Sequence, residues 1–193
     1  MALDFGLIQS NLFTTSDALG EGMGAGINEE IVKDSGGAFR ELLEVTLTGD
    51  AATISLTNIP EGYKYLRVLG RIAYKLGGEN VALRFNADAG NTYDRVFMHA
   101  TTAAISGNQA SAQTSLIFGG TGGAADKFGQ ITMEITNKAT ETKTVSVQSG
   151  LYNIHNTASG QWLNTTSRIT SITIFASAGN IAAGSRLTLY GAP

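Results

Sequence analysis

The sequence predicts an all-β protein, an antiparallel jelly-roll-like β-sandwich preceded by an extended glycine-rich arm. Three observations predict it. After about residue 40, apolar and polar residues alternate with a period of two. Glycine occupies 24 of 193 positions while proline occupies two, and Thr, Ser, Ala and Asn are abundant. A period of two sends successive side chains to opposite faces of a strand, and Gly and Asn supply the tight turns that join short strands.

Bulk properties narrow the function classes. A chain of this length suits one domain, or one domain plus an arm, and buries about 70% of its unfolded surface. Cysteine is absent, which removes disulfides, thiolate metal sites and a cysteine nucleophile. A net charge of -3 from 15% charged residues gives no basic field for gripping phosphates, so nucleic acid is not expected as the main ligand. The first twenty residues lack a basic segment followed by a continuous apolar run. No later window approaches the roughly 18 apolar residues of a spanning helix. The expectation is a soluble chain with no secretion signal and no membrane partner.

Residues 1–40 differ in texture from the rest. Gly20, Gly22, Gly24, Gly26, Gly36 and Gly37 interrupt every periodic segment, yet Phe5, Leu7, Ile8, Leu12, Phe13, Ile27, Ile31 and Phe39 are too many apolar residues for a solvated tail. The segment reads as an assembly arm lying against its own subunit or a neighbour. Residues 41–193 read as the sandwich domain.

Its elements follow in order. Leu43–Leu47 and Thr53–Thr57 alternate cleanly and flank Gly49-Asp50, which predicts a hairpin. Ile59-Pro60-Glu61-Gly62 ends it. Tyr65–Leu76 then places Leu66, Val68, Ile72, Tyr74 and Leu76 on one face and Arg67 and Arg71 on the other, until Gly77-Gly78 stops the strand. Val81–Phe85 points Val81, Leu83 and Phe85 inward. After the loop 86–91, Tyr93–Met98 forms a strand with Val96 and Met98 inward or with the opposite register. The small-residue stretch 100–126 predicts long loops around one strand at Ser115–Phe118. Alternation resumes at Gln130–Thr136, Thr142–Ser149, Leu151–Ile154, Ile169–Phe175 and Arg186–Tyr190. Nine to ten strands at eight- to fourteen-residue spacing, with no helical pattern between them, make a sandwich; eight core strands with long crossing loops make a jelly roll.

Candidate chemistry is sparse. His99 and His155 are the two histidines, neither has a zinc spacing, and no nucleophile elbow accompanies them; loop or interface positions are expected for both. The glycine clusters at 20–26 and 119–123 lack the Gly-Lys-Ser/Thr ending of a phosphate loop. Asn86-Ala87-Asp88-Ala89-Gly90-Asn91 has the oxygen spacing of a calcium loop without its terminal Glu, so an Asx-rich turn is the plainer reading. Tyr93, Phe97, Tyr152 and Trp162 could stack on a sugar ring, although filling core corners or subunit contacts is favoured. Glu134 and Glu141 sit in ordinary strand and turn settings, so no carboxylate pair for glycoside hydrolysis is visible. No catalytic, cofactor or metal residue is assigned, and the chain is expected not to be an enzyme.

Three stretches, taken together, resemble a β-sandwich family widespread among tailed-bacteriophage virion proteins. They are Ile54–Leu66 with its Asn58-Ile59-Pro60, Leu83-Arg84-Phe85-Asn86-Ala87-Asp88-Ala89-Gly90-Asn91-Thr92-Tyr93, and Ile169–Ile174 with Gly184-Ser185-Arg186-Leu187-Thr188-Leu189-Tyr190-Gly191. The resemblance spans about residues 41–193. It implies a bacteriophage virion structural protein, foremost a capsid decoration or cement protein, assembled in the host cytoplasm. Its implied partners are itself, as a homotrimer, and the major capsid protein or other virion proteins. A tail or fibre component that binds a host surface glycan is the alternative.

Overall fold

A computed structural model describes residues 38–75, 80–120, 127–151 and 154–193, and every regular element among them is a β-strand. In chain order these are β1 (Arg40–Thr46), β2 (Thr53–Leu56), β3 (Tyr65–Ile72), β4 (Asn80–Phe85), β5 (Tyr93–Ala100), β6 (Ile105–Gln113), β7 (Leu116–Gly120), β8 (Gly129–Thr136), β9 (Lys143–Leu151), β10 (Ile154–Trp162), β11 (Ile172–Ala176) and β12 (Arg186–Ala192). They form an eight-stranded sheet, β1-β12-β3-β8-β9-β10-β5-β6, and a four-stranded sheet, β2-β11-β4-β7.

The pairing is nested. β1 pairs with β12, β2 with β11, β3 with β8 and β4 with β7, all antiparallel. A chain paired in this way is one long hairpin, rolled so that successive strand pairs fall in alternate sheets, which is the eight-stranded jelly roll. Two further hairpins interrupt the roll: β5–β6 follows β4, and β9–β10 follows β8. β10 pairs with β5, and β9 pairs with β8. The two inserted hairpins therefore lie side by side and widen one sheet by four strands.

The core lies between the sheets. Leu66 and Val68 of β3, Ile131, Met133 and Ile135 of β8, and Leu187 and Leu189 of β12 face Ile54, Leu56, Leu83, Phe85, Ile172 and Ile174 of the smaller sheet, all nearly or fully buried. Each such side chain contributes roughly 1.5–3 kcal/mol relative to exposure.

Several expectations need correction. Residues 43–57 do not form a hairpin, because β1 and β2 belong to different sheets. Alternation defines a strand's two faces but not its neighbour, and the segment around Gly49 is a corner: Leu47 N donates to Ser185 O and Ala51 N to Ile181 O, each 2.9 Å. The stretch 100–126 holds two strands, β6 and β7, not one. A nine-residue strand, β10, runs where only Leu151–Ile154 was expected. Twelve strands thus replace nine or ten among the described residues. The expected arm lies outside the described residues up to residue 37, and Arg40 already belongs to β1. Gly77-Gly78, Tyr152 and the clusters 20–26 and 121–123 also lie outside them.

Candidate functional site

The loop that follows β4 was the sequence's best ion candidate, and its oxygens are already engaged. Asp88 accepts hydrogen bonds from Gly90 N at 2.8 Å, Thr92 Oγ1 at 2.8 Å and Trp162 Nε1 at 2.7 Å. Burial alone would raise the Asp88 pKa, but these donors outweigh it and hold the carboxyl below its ordinary range. Asn86, in a left-handed conformation with φ 51°, accepts from Thr170 N, Thr170 Oγ1 and Ser171 N and donates to Arg168 O. The loop is an Asx turn that ties β4 to β10 and to the segment before β11. Among the described residues, no group of three or more His, Asp or Glu side chains is placed to hold a metal.

The aromatic residues meet at the same corner. Trp162 and Tyr93 are fully buried, with their rings stacked at 6.5 Å between centroids and Phe85 5.7 Å from Trp162. The Tyr93 hydroxyl receives Phe85 N at 3.0 Å, and burial pushes its pKa up to about 12. Lys143 is buried beside Trp162 and donates to Asn164 O at 2.7 Å and Ala139 O at 3.3 Å. Burial, then the nearby Arg168, lowers its pKa, against a smaller opposing effect of Glu141. Neither Trp162 nor Tyr93 offers a face to a sugar. Phe97 is half-buried.

The two histidines lie on paired strands, not in loops, and face opposite ways. His99 Nδ1 is 2.7 Å from Asn156 Oδ1, and Asn156 Nδ2 donates to Ser149 Oγ. His155, on the exposed face, meets Thr157 Oγ1 at 3.3 Å. Glu134 pairs with Arg67 at 2.6 Å and Glu141 with Lys138 at 3.2 Å, so each carboxylate has its own cation.

What sequence reasoning missed is a groove on the outer face of the eight-stranded sheet. One part, about 560 Å³, is lined by Phe39, Tyr65, Arg67, Glu134, Thr144, Ser146 and Ser159. A second part, about 430 Å³, is lined by Asp94, Gln109, Ser111, Gln161 and again Thr144 and Ser159, so the two are contiguous. Hydroxyl side chains and Phe39 line the first part, whose surface is mainly apolar, and hydroxyl and amide side chains line the second. Phe39 packs 4.3 Å from the Arg67 guanidinium, and Arg67 Nε is buried without a hydrogen-bond partner among the described residues. The available signal was the run of outward Thr, Ser and Gln residues on strands 130–136, 143–149 and 155–161; locating the groove also required the strand order.

The three stretches that carry the family resemblance are all built into the roll. Asn58 takes φ 58°, and Ile59 N donates to Thr170 O. Ser185, fully buried, accepts from Ala73 N at 3.1 Å. A Cβ on Gly191 would stand 2.6 Å from the Tyr63 ring and 2.7 Å from Leu42, so only glycine fits there.

The class these observations define is a jelly-roll β-sandwich with a widened sheet. No protein-family model matches the chain, and no curated protein matches it. Among solved structures, an endo-β-1,4-glucuronan lyase from the fungus Trichoderma reesei is similar over 83% of this chain and 87% of its own, at 11% identity and a TM-score of 0.27. A likeness this low carries no argument about activity.

Proposed function

We propose that the chain is a bacteriophage virion structural protein of the decoration or cement type. In this reading it strengthens the shell by contacts with copies of itself and with the major capsid protein, and it does so without catalysis. The observation that supports the reading is where the resembling stretches fall. Asn58, Asn86, Asp88 and Ser185 hold turns or strand ends of the sandwich, and Tyr93 and Gly191 sit in close-packed strand positions, so the likeness to virion proteins is one of architecture. The low charge of the chain suits surfaces covered by neighbours. Binding to undecorated capsids tests the proposal, using the full chain and a variant lacking residues 1–37, with shell melting followed alongside. Arm-dependent binding that raises the shell's melting temperature is the expected result. Absence of binding by the full chain refutes it. Sedimentation of the free protein checks the trimer that the resemblance implies.

A second reading, glycan binding by a tail or fibre component, is favoured by the outer groove. The hydroxyl and amide side chains along it and the exposed Tyr65 suit a polyhydroxylated ligand. Glycan-array binding that disappears in Arg67→Ala would select this reading over the first.

A further inference from the structure

Edge strands are where one sheet can join another, because each leaves a row of backbone N–H and C=O groups unpaired. The four edges here are not equal. β1 carries Arg40, Glu41 and Glu44, β2 has four residues and β7 has five. β6 has nine, Ile105–Gln113, with neither a charge nor a proline, and seven of the nine are exposed. Charge, shortness and proline are the usual guards of an edge. β6 lacks all three.

The outer face beside this edge is apolar. Ile105 is 74% exposed, Met98 55% and Val96 51%. Val96 stands opposite Gln109, Met98 opposite Gly107 and Ala100 opposite Ile105. A Cβ built on Gly107 would sit 4.0 Å from Met98 Cγ, so Met98 lies along the gap that this glycine leaves at the edge.

The geometry points to a second copy of this chain as the occupant. Two β6 strands pair antiparallel about a two-fold axis near Gly107, joining two eight-stranded sheets into one continuous sheet. The absence of charge on β6 suits a copy of the same strand. A two-fold contact sets each surface against itself, so a charged edge would meet like charge, whereas the uncharged β6 meets none. With the axis at Gly107, Ser106 stands opposite Asn108 of the second copy, and the two Met98 side chains approach across the paired glycines. The apolar patch that one subunit leaves in water is then covered. With the axis at Gly107 the strands overlap over Ile105–Gln109, a strip about 17 Å long and below the usual size of specific interfaces, so the association is concentration-dependent. A two-fold contact joins chains, or preformed assemblies of chains, two at a time. The assembled mass is therefore an even multiple of the 20.2 kDa chain, with or without a virion.

Analytical ultracentrifugation of the full chain from about 1 to 500 μM, a range chosen for a small interface, tests this. The mass rises to an even multiple of one chain. Ser106→Lys with Asn108→Lys halves that mass while leaving circular dichroism and melting unchanged, because both positions are exposed. Ser106→Glu with Asn108→Glu does the same, and mixing the lysine and glutamate variants restores the wild-type mass. A single chain across the whole range, an odd multiple, a lysine variant of wild-type mass, or a mixture that stays at half mass would each overturn the proposal. None of these results depends on capsid binding.

Discussion

The eight strands of the roll and the four inserted strands solve the same problem with different residues. In the roll, β3, β8, β11 and β12 bring Leu, Ile, Val and Met inward against a facing sheet. In the insertion, β6 reads ISGNQASAQ and β10 reads IHNTASGQW, and the buried hydrophobic residues are Tyr93, Val145, Val147, Ile154, Ala158 and Trp162, none of them on β6. β7 is the strand of the smaller sheet that reaches beneath β5 and β10, while β6 extends past it. Stability is thus concentrated in the roll, in β9 and at the Trp162 corner, and β6 buries little against the described residues.

The sharpest way to break this contrast is at the corner where the two regions join. Trp162→Ala removes the largest fully buried side chain, and we expect a loss of about 4 kcal/mol in urea unfolding. Asp88→Ala strands Trp162 Nε1 and two further donors, with an expected loss of about 3 kcal/mol. The same carboxylate makes the corner acid-sensitive. Its folded pKa is depressed, so its contribution is fully present above the unfolded value and is lost as pH falls through the lower folded value. Urea midpoints measured from pH 6 downward should therefore fall more steeply for the wild type than for Asp88→Asn below about pH 4. The smallest effect belongs to the insertion's outer face. Met98→Ser should change stability by less than about 0.5 kcal/mol while weakening self-association. Hydrogen exchange sharpens the comparison residue by residue: amides of β3, β8 and β12 should be protected to the global limit, and those of β6 should exchange by local opening.

The same contrast explains what was legible in the sequence. Ile131, Met133 and Ile135, or Val81, Leu83 and Phe85, show both the strand and its inward face, because one side meets a core and the other meets water. β6 gives no such signal, since both of its faces are largely wet and its residues are small or polar. β10 alternates, but its inward residues include Asn156, Ala158 and Gly160, which hydrophobicity alone does not separate from a loop. The order of β5 was open between two registers; Tyr93 and Phe97 point inward, leaving Val96 and Met98 outside. Partnership was not legible either. Nothing local to 43–57 tells β1 that its neighbour lies at 186–191. The fold of the corner loop could be anticipated as an Asx turn, but Trp162, as Asp88's donor, is 74 residues away.

The nested pairing also sets the timetable of folding. Arg40 is matched with Gly191, and β12 lies between β1 and β3. The last strand of the roll to be made is therefore the one that two of the earliest strands require, and the roll cannot close before β12 has been made. Pairings so distant in sequence place such a domain among slow folders, on the millisecond-to-second scale. Until closure the first strands wait with their apolar faces open, and a chain that stops before Arg186 never acquires the strand that would cover them.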